Sequence, residues 1–536
     1  MKNEYENARP LNLQQWSDRP EVDAAVDAIY EEYRADGFVQ RDRNQKTCLK
    51  VILLNLYACH ASDPTRYIRY SRSNRSWIKR YNIQGLSAEQ VRIMVDRLRD
   101  LGYVTDKLGE WKFYEEDRRQ SRMRATDKLV ARFNDSDVSP LMVVQHPQAE
   151  TIILKDKKKK LTGYEETDET RMMRAQMQTI NGILSKTLIN MYMSDDDLTD
   201  LNQRLLAGKL PWRNGYLPDL EDEEEDDDLR QVIDFSRKSL SRVFNNGSFR
   251  EGGRLYSAWW QGVPQRYRKY IRINRMNTIE VDFSAMHINL IYWLQGVPVP
   301  DGDLYTLDGY PEGTRGVVKQ CLLTLINAKN RPKDMSSIRE HINGVRIRMK
   351  TVNGMRVKVA KKMHNDDRII LPPGVKIEEI ITAFEEKHAA ISDDWFFSGK
   401  GVKLQYWDSQ IAIEILLALA KEGVPALPLH DSFIVSYPQE RGLRSVMAEA
   451  FHKVTGHYPK MDDKDSLFQE NESRGEEAMI AEYQMKMADD GRTYSDKFRQ
   501  EYNTYVNSAE EWKKIMGTGN FFTYSKFKKL NREIFD

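Results

Sequence analysis

The chain has 536 residues and balances 82 Lys and Arg against 81 Asp and Glu, for a formal charge of +1, so a length suited to about two to four domains comes with no net bias toward polyanions or membranes. Its three cysteines, Cys48, Cys59 and Cys321, have no metal-ligand spacing and are too few for a disulfide framework, which points to a reducing, cytoplasmic compartment. The opening MKNEYENARP lacks an apolar signal region, and no run approaches the roughly 20 apolar residues that cross a bilayer.

Taken from the N-terminus, KTCLKVILLNLYACHAS (46–62) predicts an apolar helix. RYIRYSRSNRSWIKRY (66–81) then intersperses cations with aromatic rings, a pattern suited to phosphates and stacking. In LSAEQVRIMVDRLRDLGYVTDKLGEWKFYE (86–115), Ser87 and Gln90 form a capping box, Val91, Met94, Val95, Leu98 and Leu101 recur at helical spacing, and Gly102 supplies the stop. Tyr103 to Thr105 and Trp111 to Tyr114, around a turn at Gly109, read as a two-stranded wing. Together these segments predict a winged helix-turn-helix domain over 1–115, serving either DNA or protein contacts.

Residues 116–235 predict a helical connecting region to which no chemistry is assigned. KDKKKK (155–160) reads as an exposed basic loop and RMMRAQMQTINGILSKTLINMY (171–192) as one long helix. The acidic run DLEDEEEDDD (219–228) reads as a solvated linker or an internal mimic of a polyanion, and the chain outside it is basic.

Beyond that linker, NTIEVDFSAMHINLIYWLQG (277–296) opens with strict alternation. Ile279, Val281 and Phe283 fall on one face of a strand and Glu280 and Asp282 on the other, so a carboxylate is held on a rigid element facing away from the core. GTRGVVKQCLLTLINAKNRP (313–332) predicts a helix from Thr314 that stops before Pro332. Its Arg315 and Lys319 share a face, and Asn327 lies near it. Such a pair is either ordinary surface or a polyphosphate holder, Arg by its fork and Lys as a point charge.

VRIRMKTVNGMRVKVA (345–360) predicts a hairpin about Asn353-Gly354. A two-residue loop would pair Lys350 with Val357 and mix the faces, whereas a three-residue loop over 352–354 would pair Met349 with Val357 and Arg348 with Lys358. Arg346, Arg348, Lys350, Arg356 and Lys358 would then share one side, tracking a phosphate backbone or simply meeting solvent. DSQIAIEILLALAKEGVP (408–425) is a nearly all-apolar helix stopped by Gly423 and Pro425, and ALPLHDSFIVSY (426–437) sets His430 and Asp431 between two buried strands. Two strand-borne acids, Asp282 and Asp431, suit a two-metal phosphoryl-transfer site with ions about 3.5–4 Å apart.

On these segments the chain resembles the family A polymerases, the group of bacterial DNA polymerase I and the phage-type single-subunit RNA polymerases. VDFSAMHINLIYW is similar to the family's first palm motif, RGVVKQCLLTLINA to its fingers helix, LHDSFIV to its second palm motif, and GGRLYSAWWQGVP (252–264) to its Gly-Arg-Leu-Ser segment. The resemblance spans residues 245 to 455. It implies that Asp282 and Asp431 bind two Mg²⁺, or Mn²⁺, and that Arg315 and Lys319 contact the triphosphate of an incoming dNTP or NTP. It further implies that His430 reaches the primer end, that Arg254 contacts duplex, and that Gln405 lies on the template side. Two departures concern the nucleotide pocket. Asn327-Ala328 replaces the family's Tyr-Gly at the end of the fingers helix, and His287 stands where the DNA polymerases carry the Glu that excludes ribose, with an imidazole large enough to do the same. No Asp-x-Glu editing signature precedes the palm, since TDET (167–170) has the wrong spacing. The family offers no counterpart for 345–360.

The expected fold is α+β: a right-hand palm of antiparallel sheet with helical fingers over 236–460, a helical thumb-like or connecting region over 116–235, the N-terminal winged helix-turn-helix domain, and a charged helical extension over 461–536. The expected activity is a DNA-directed DNA polymerase without proofreading that uses a DNA template and primer. The rival expectations are a single-subunit RNA polymerase or primase, and a DNA-binding regulator with a degenerate palm.

Overall fold

The computed structural model describes residues 8–461 apart from 36–43, 74–77, 110–119, 194, 207–232, 275, 328–330, 353–354, 363–368 and 460. The acidic run 219–228, the strand expected at 111–114 and nearly all of the expected C-terminal extension lie outside the described residues. The fold mixes helices with mainly antiparallel sheets and is α+β. Among the described residues no helix is long and apolar enough to cross a membrane. Two compact units divide the chain: Met1–Arg174 with Asp200–Arg268 and Ala285–Ser409, and Ala175–Thr199 with Lys269–Ser284 and Gln410–Asp536.

The first unit begins with helices α1 (Pro20–Ala35), α2 (Gln45–Ser62), α3 (Ala88–Asp100) and α4 (Asp127–Asn134). They accompany a four-stranded sheet ordered β1 (Arg9–Pro10), β3 (Ile68–Tyr70), β5 (Ser121–Ala125), β4 (Val104–Lys107). α2 is apolar on every side and is accordingly buried from Cys48 to Cys59. At the start of α3 the Gln90 N–H donates to Ser87 Oγ at 3.1 Å and the Ser87 N–H to Gln90 Oε1 at 2.7 Å. Gly102, with φ +77°, takes the left-handed conformation that ends it.

β4 pairs with 121–125, joining Val104 to Ala125 and Lys107 to Arg122. β5 carries two arginines yet is an interior strand, between β3 and β4. The rings and strands around it shield Arg122, whose guanidinium lies 5.5 Å from the centre of the buried Tyr67 ring. One apolar core runs from Val22 to Val143 and so continues past residue 115.

A short pair, β2 (Gln15–Trp16) with β6 (Val144–Gln145), leads to a second sheet ordered β11 (Gly252–Tyr256), β10 (Ser241–Phe244), β7 (Ile152–Lys155), β8 (Leu161–Thr162). The expected basic loop at 155–160 is the connection of the β7–β8 hairpin. After α7 (Gln265–Arg268) and α8 (Met286–Gln295) come α9 (Thr314–Asn327) and α10 (Arg331–Ile342). As expected, the first of these two helices starts at Thr314 and stops before Pro332, which stands in the opening turn of the second, where a missing N–H leaves no bond unmade.

The hairpin of β14 (Val345–Val352) and β15 (Met355–Lys362) also departs from expectation. Val352 pairs with Met355, Lys350 with Val357 and Met349 with Lys358, so only positions 353–354 are left for the connection. With side chains alternating along each strand, positions 346, 348 and 350 fall on one face and positions 356 and 358 on the other. The single five-cation side is therefore not formed. Helices α11 (Ile377–Lys387) and α12 (Ala389–Trp395) follow, and then α13 (Gly401–Lys421), which starts ahead of the residue 408 expected for it.

The second unit holds a five-stranded antiparallel sheet ordered β16 (Leu427–Leu429), β17 (Ser432–Ser436), β13 (Met276–Asp282), β12 (Ile271–Ile273), β9 (Ile189–Met191). Strand β9 corrects the long helix expected over 171–192. α5 (Asp168–Ser185) ends at Ser185, and α6 (Asp195–Leu206) begins only after the strand. A short apolar run such as LIN fits either state by pattern, and the open edge of β12 decides in favour of strand. α14 (Glu440–Thr455) packs on the sheet, with Phe451 set 5.6 Å from Phe283 between ring centres.

Candidate active site

The alternation of 279–283 is realised as expected, with Ile279, Val281 and Phe283 buried while Glu280 and Asp282 are partly exposed. β13 and β17 pair from Thr278↔Ser436 to Asp282↔Ser432, and Leu429↔Ser432 closes a two-residue turn made of His430 and Asp431. Asp431 thus sits at the hairpin tip beside the end of β13, its carbonyl 3.5 Å from the Phe283 nitrogen. Asp282 lies opposite Ser432, at the Cα separation of about 4.5–5.5 Å usual for such a pair, and Asp431 is the residue next to Ser432 at the hairpin tip, so the two acids are near neighbours along the backbone. His430 adopts φ +69°, a left-handed conformation that a β-carbon disfavours and that the closed hairpin maintains. Glu280 adds a third carboxylate to the polar side of β13, and its Oε1 accepts a 2.8 Å bond from Ser432 Oγ.

This donor set is all oxygen, which suits Mg²⁺ or Mn²⁺ better than zinc. Among the described residues no group of three or more His, Cys, Asp and Glu side chains is placed to hold a metal ion. Mg²⁺ does not need three protein side chains, because it is commonly bound by one or two carboxylates with substrate phosphates and water completing the shell.

The remaining candidates lie in the first unit. On α9, Val317, Val318, Cys321, Leu322, Leu325 and Ile326 are buried, while Arg315 and Lys319 stay partly accessible. Arg315 donates from Nε and Nη2 to Asp303 Oδ2 at 3.0 and 2.7 Å. Partial burial pushes the Asp303 carboxyl up, but the Arg315 bonds and the N–H groups of Tyr305 and Thr306 outweigh it and hold the group down at about 2. Asn327 ends α9 with its side chain against the Cα of Gly401, where no β-carbon would fit, and so packs on the first turn of α13. Gln405 is buried in that same turn region.

Arg254 is an interior residue. It donates to Asp408 Oδ2 from Nε at 2.8 Å and from Nη2 at 2.5 Å, and the same Nη2 lies 2.9 Å from Nε2 of His287. Asp408 was not among the expected site residues, though the sequence does carry a signal. Asp408 falls three, four and seven residues before the buried Ile411, Ala412 and Ile415, so an acid occupies the apolar stripe of its helix and requires a partner there. Cations also gather on the N-terminal sheet, where Lys107, Arg122 and Arg124 all lie 4.9 to 5.5 Å from the Tyr67 ring centre. Comparison with protein-family models finds no match, and comparison with curated proteins finds none.

Proposed function

We propose that the protein is a template-directed nucleotidyltransferase, most specifically a DNA-directed DNA polymerase without a proofreading exonuclease. The observation that carries this reading is the β13–β17 register, which sets Asp282 beside a hairpin tip occupied by His430 and Asp431. Bound at these carboxylates, Mg²⁺ ions would lower the pKa of a strand 3′-hydroxyl and offset charge at the α-phosphate. The protein's own groups do the rest. Arg315 and Lys319 neutralise the departing pyrophosphate. The Arg315–Asp303 pair is partly exposed and therefore weak, so a triphosphate can displace it. His287 limits the sugar and His430 meets the primer end. The capped α3 and the basic N-terminal sheet support a winged-helix reading for the DNA-engaging part.

The test is primer extension by the full chain with dNTPs and with NTPs, each with and without primer. Asp282→Asn and Asp431→Asn should each reduce Mg²⁺-dependent incorporation to background while DNA affinity is kept, because these carboxylates serve chemistry rather than binding. Near-normal incorporation by either variant refutes the site. Primer-free use of NTPs by the wild type moves the activity to an RNA polymerase or primase.

A further inference from the structure

Arg254, Asp408 and His287 come from β11, α13 and α8 and meet within the first unit. Their side chains retain 6 %, 2 % and 13 % of their surface. A guanidinium has only hydrogens to offer, so at 2.9 Å His287 Nε2 is the acceptor and the ring carries its proton on Nδ1. Asp408 is 3.5 Å from that nitrogen, too far for a good bond, so it reaches the imidazole only through Arg254. Two bonds to one carboxylate oxygen hold the buried guanidinium in its orientation, and removing the acid would loosen that hold.

We propose that Asp408 is a positioning residue: through Arg254 it fixes the tautomer and orientation of His287 and thereby sets the discrimination between deoxyribo- and ribonucleoside triphosphates. This rests on the polymerase reading above. A merely structural ion pair would stabilise the fold without moving the sugar preference, and that difference is measurable.

The ratio of kcat/KM for dNTP over NTP, opposite one template base, is compared for full-length wild type, Asp408→Asn, Asp408→Glu, His287→Ala and the double variant Asp408→Asn/His287→Ala. Asp408→Asn should lower the ratio about tenfold, equal to 1.4 kcal/mol, with partial rescue by glutamate. In the His287→Ala background Asp408→Asn should add nothing, because the acid acts through a ring no longer present. Should Asp408→Asn fail to fold, Arg254→Met/Asp408→Leu replaces the ion pair by apolar groups of similar size and is expected to show the same loss. An unchanged ratio, or additive effects in the double variant, overturns the proposal. A second readout needs no activity: ¹⁵N shifts of histidine-labelled protein should show His287 protonated on Nδ1 in wild type, and an Nε2-protonated ring overturns the positioning even if no nucleotide is incorporated. A wild type with the expected ring that incorporates neither nucleotide class instead overturns the polymerase reading, and the claim about sugar selection with it.

Discussion

Replacing Gly253 by alanine probes how tightly the floor beneath Arg254 is packed. Gly253 has φ +88°, and an added β-carbon would lie 2.9 Å from Phe244 Cε1 and 2.9 Å from Ser409 Oγ. Neither neighbour has room to withdraw. The Phe244 ring is fully buried, and Ser409 Oγ is fixed between a bond accepted from Arg242 and one donated to the Tyr406 carbonyl. The left-handed conformation costs an alanine about 1 kcal/mol, and forced overpacking adds about 1–3 kcal/mol. The total expected is therefore about 3 kcal/mol. Gly102→Ala is the matched control, with φ +77° but no atom within 4 Å of its added carbon, so only the conformational part applies. Urea unfolding followed by tryptophan fluorescence should place Gly253→Ala about 2 kcal/mol below Gly102→Ala. Equal losses for the two variants would refute the packing argument.

Burial pushes the Lys238 ammonium down from 10.5 to about 7, so between those values the unfolded chain binds a proton that the folded chain does not, and stability rises with pH across that window. Lys238→Met should be the more stable protein at pH 7, with an advantage that shrinks by about 3 kcal/mol by pH 9.5; a difference independent of pH would contradict this. Ser87→Ala removes one half of the capping box on α3 and should lower stability by about 1 kcal/mol, read as faster hydrogen exchange at the Gln90 amide; unchanged exchange there would count against the cap. Asp303→Asn releases Arg315 from its carboxylate partner and should lower KM for nucleotide up to about fivefold with kcat unchanged, the size expected of one partly exposed pair; a raised KM would show instead that Asp303 orients the arginine for its substrate.

What the sequence revealed was mostly local. Ser87 and Gln90 are three residues apart and cap α3 as read. The alternation of 279–283 and the polar His430-Asp431 step between apolar runs each lie within a dozen residues, and each takes its expected face or turn. The misses concern partners distant in sequence. Arg254 and Asp408 are 154 residues apart, and no local pattern joins them. β5 was unreadable because its arginines look solvent-facing until Tyr67 is placed beside them. For β14 and β15 the register that mixes the cations over both faces, with Lys350 opposite Val357, is the one formed, so local strand pairing and not a shared cationic face decides it.

The β9–β12 pairing has a consequence for how the protein is made. A fragment beginning at residue 236 would retain both carboxylate strands but lose β9, leaving the backbone of β12 as an open edge for intermolecular pairing. During synthesis roughly 80 residues separate β9 from its partner β12, a wait of about 4–16 s at ribosomal speeds before the two can pair. Throughout that interval Ile189–Met191 is an unsatisfied apolar segment, and the Asp195-Asp196-Asp197 run that follows so closely places a cluster of like charge where it deters neighbouring nascent chains from stacking onto it.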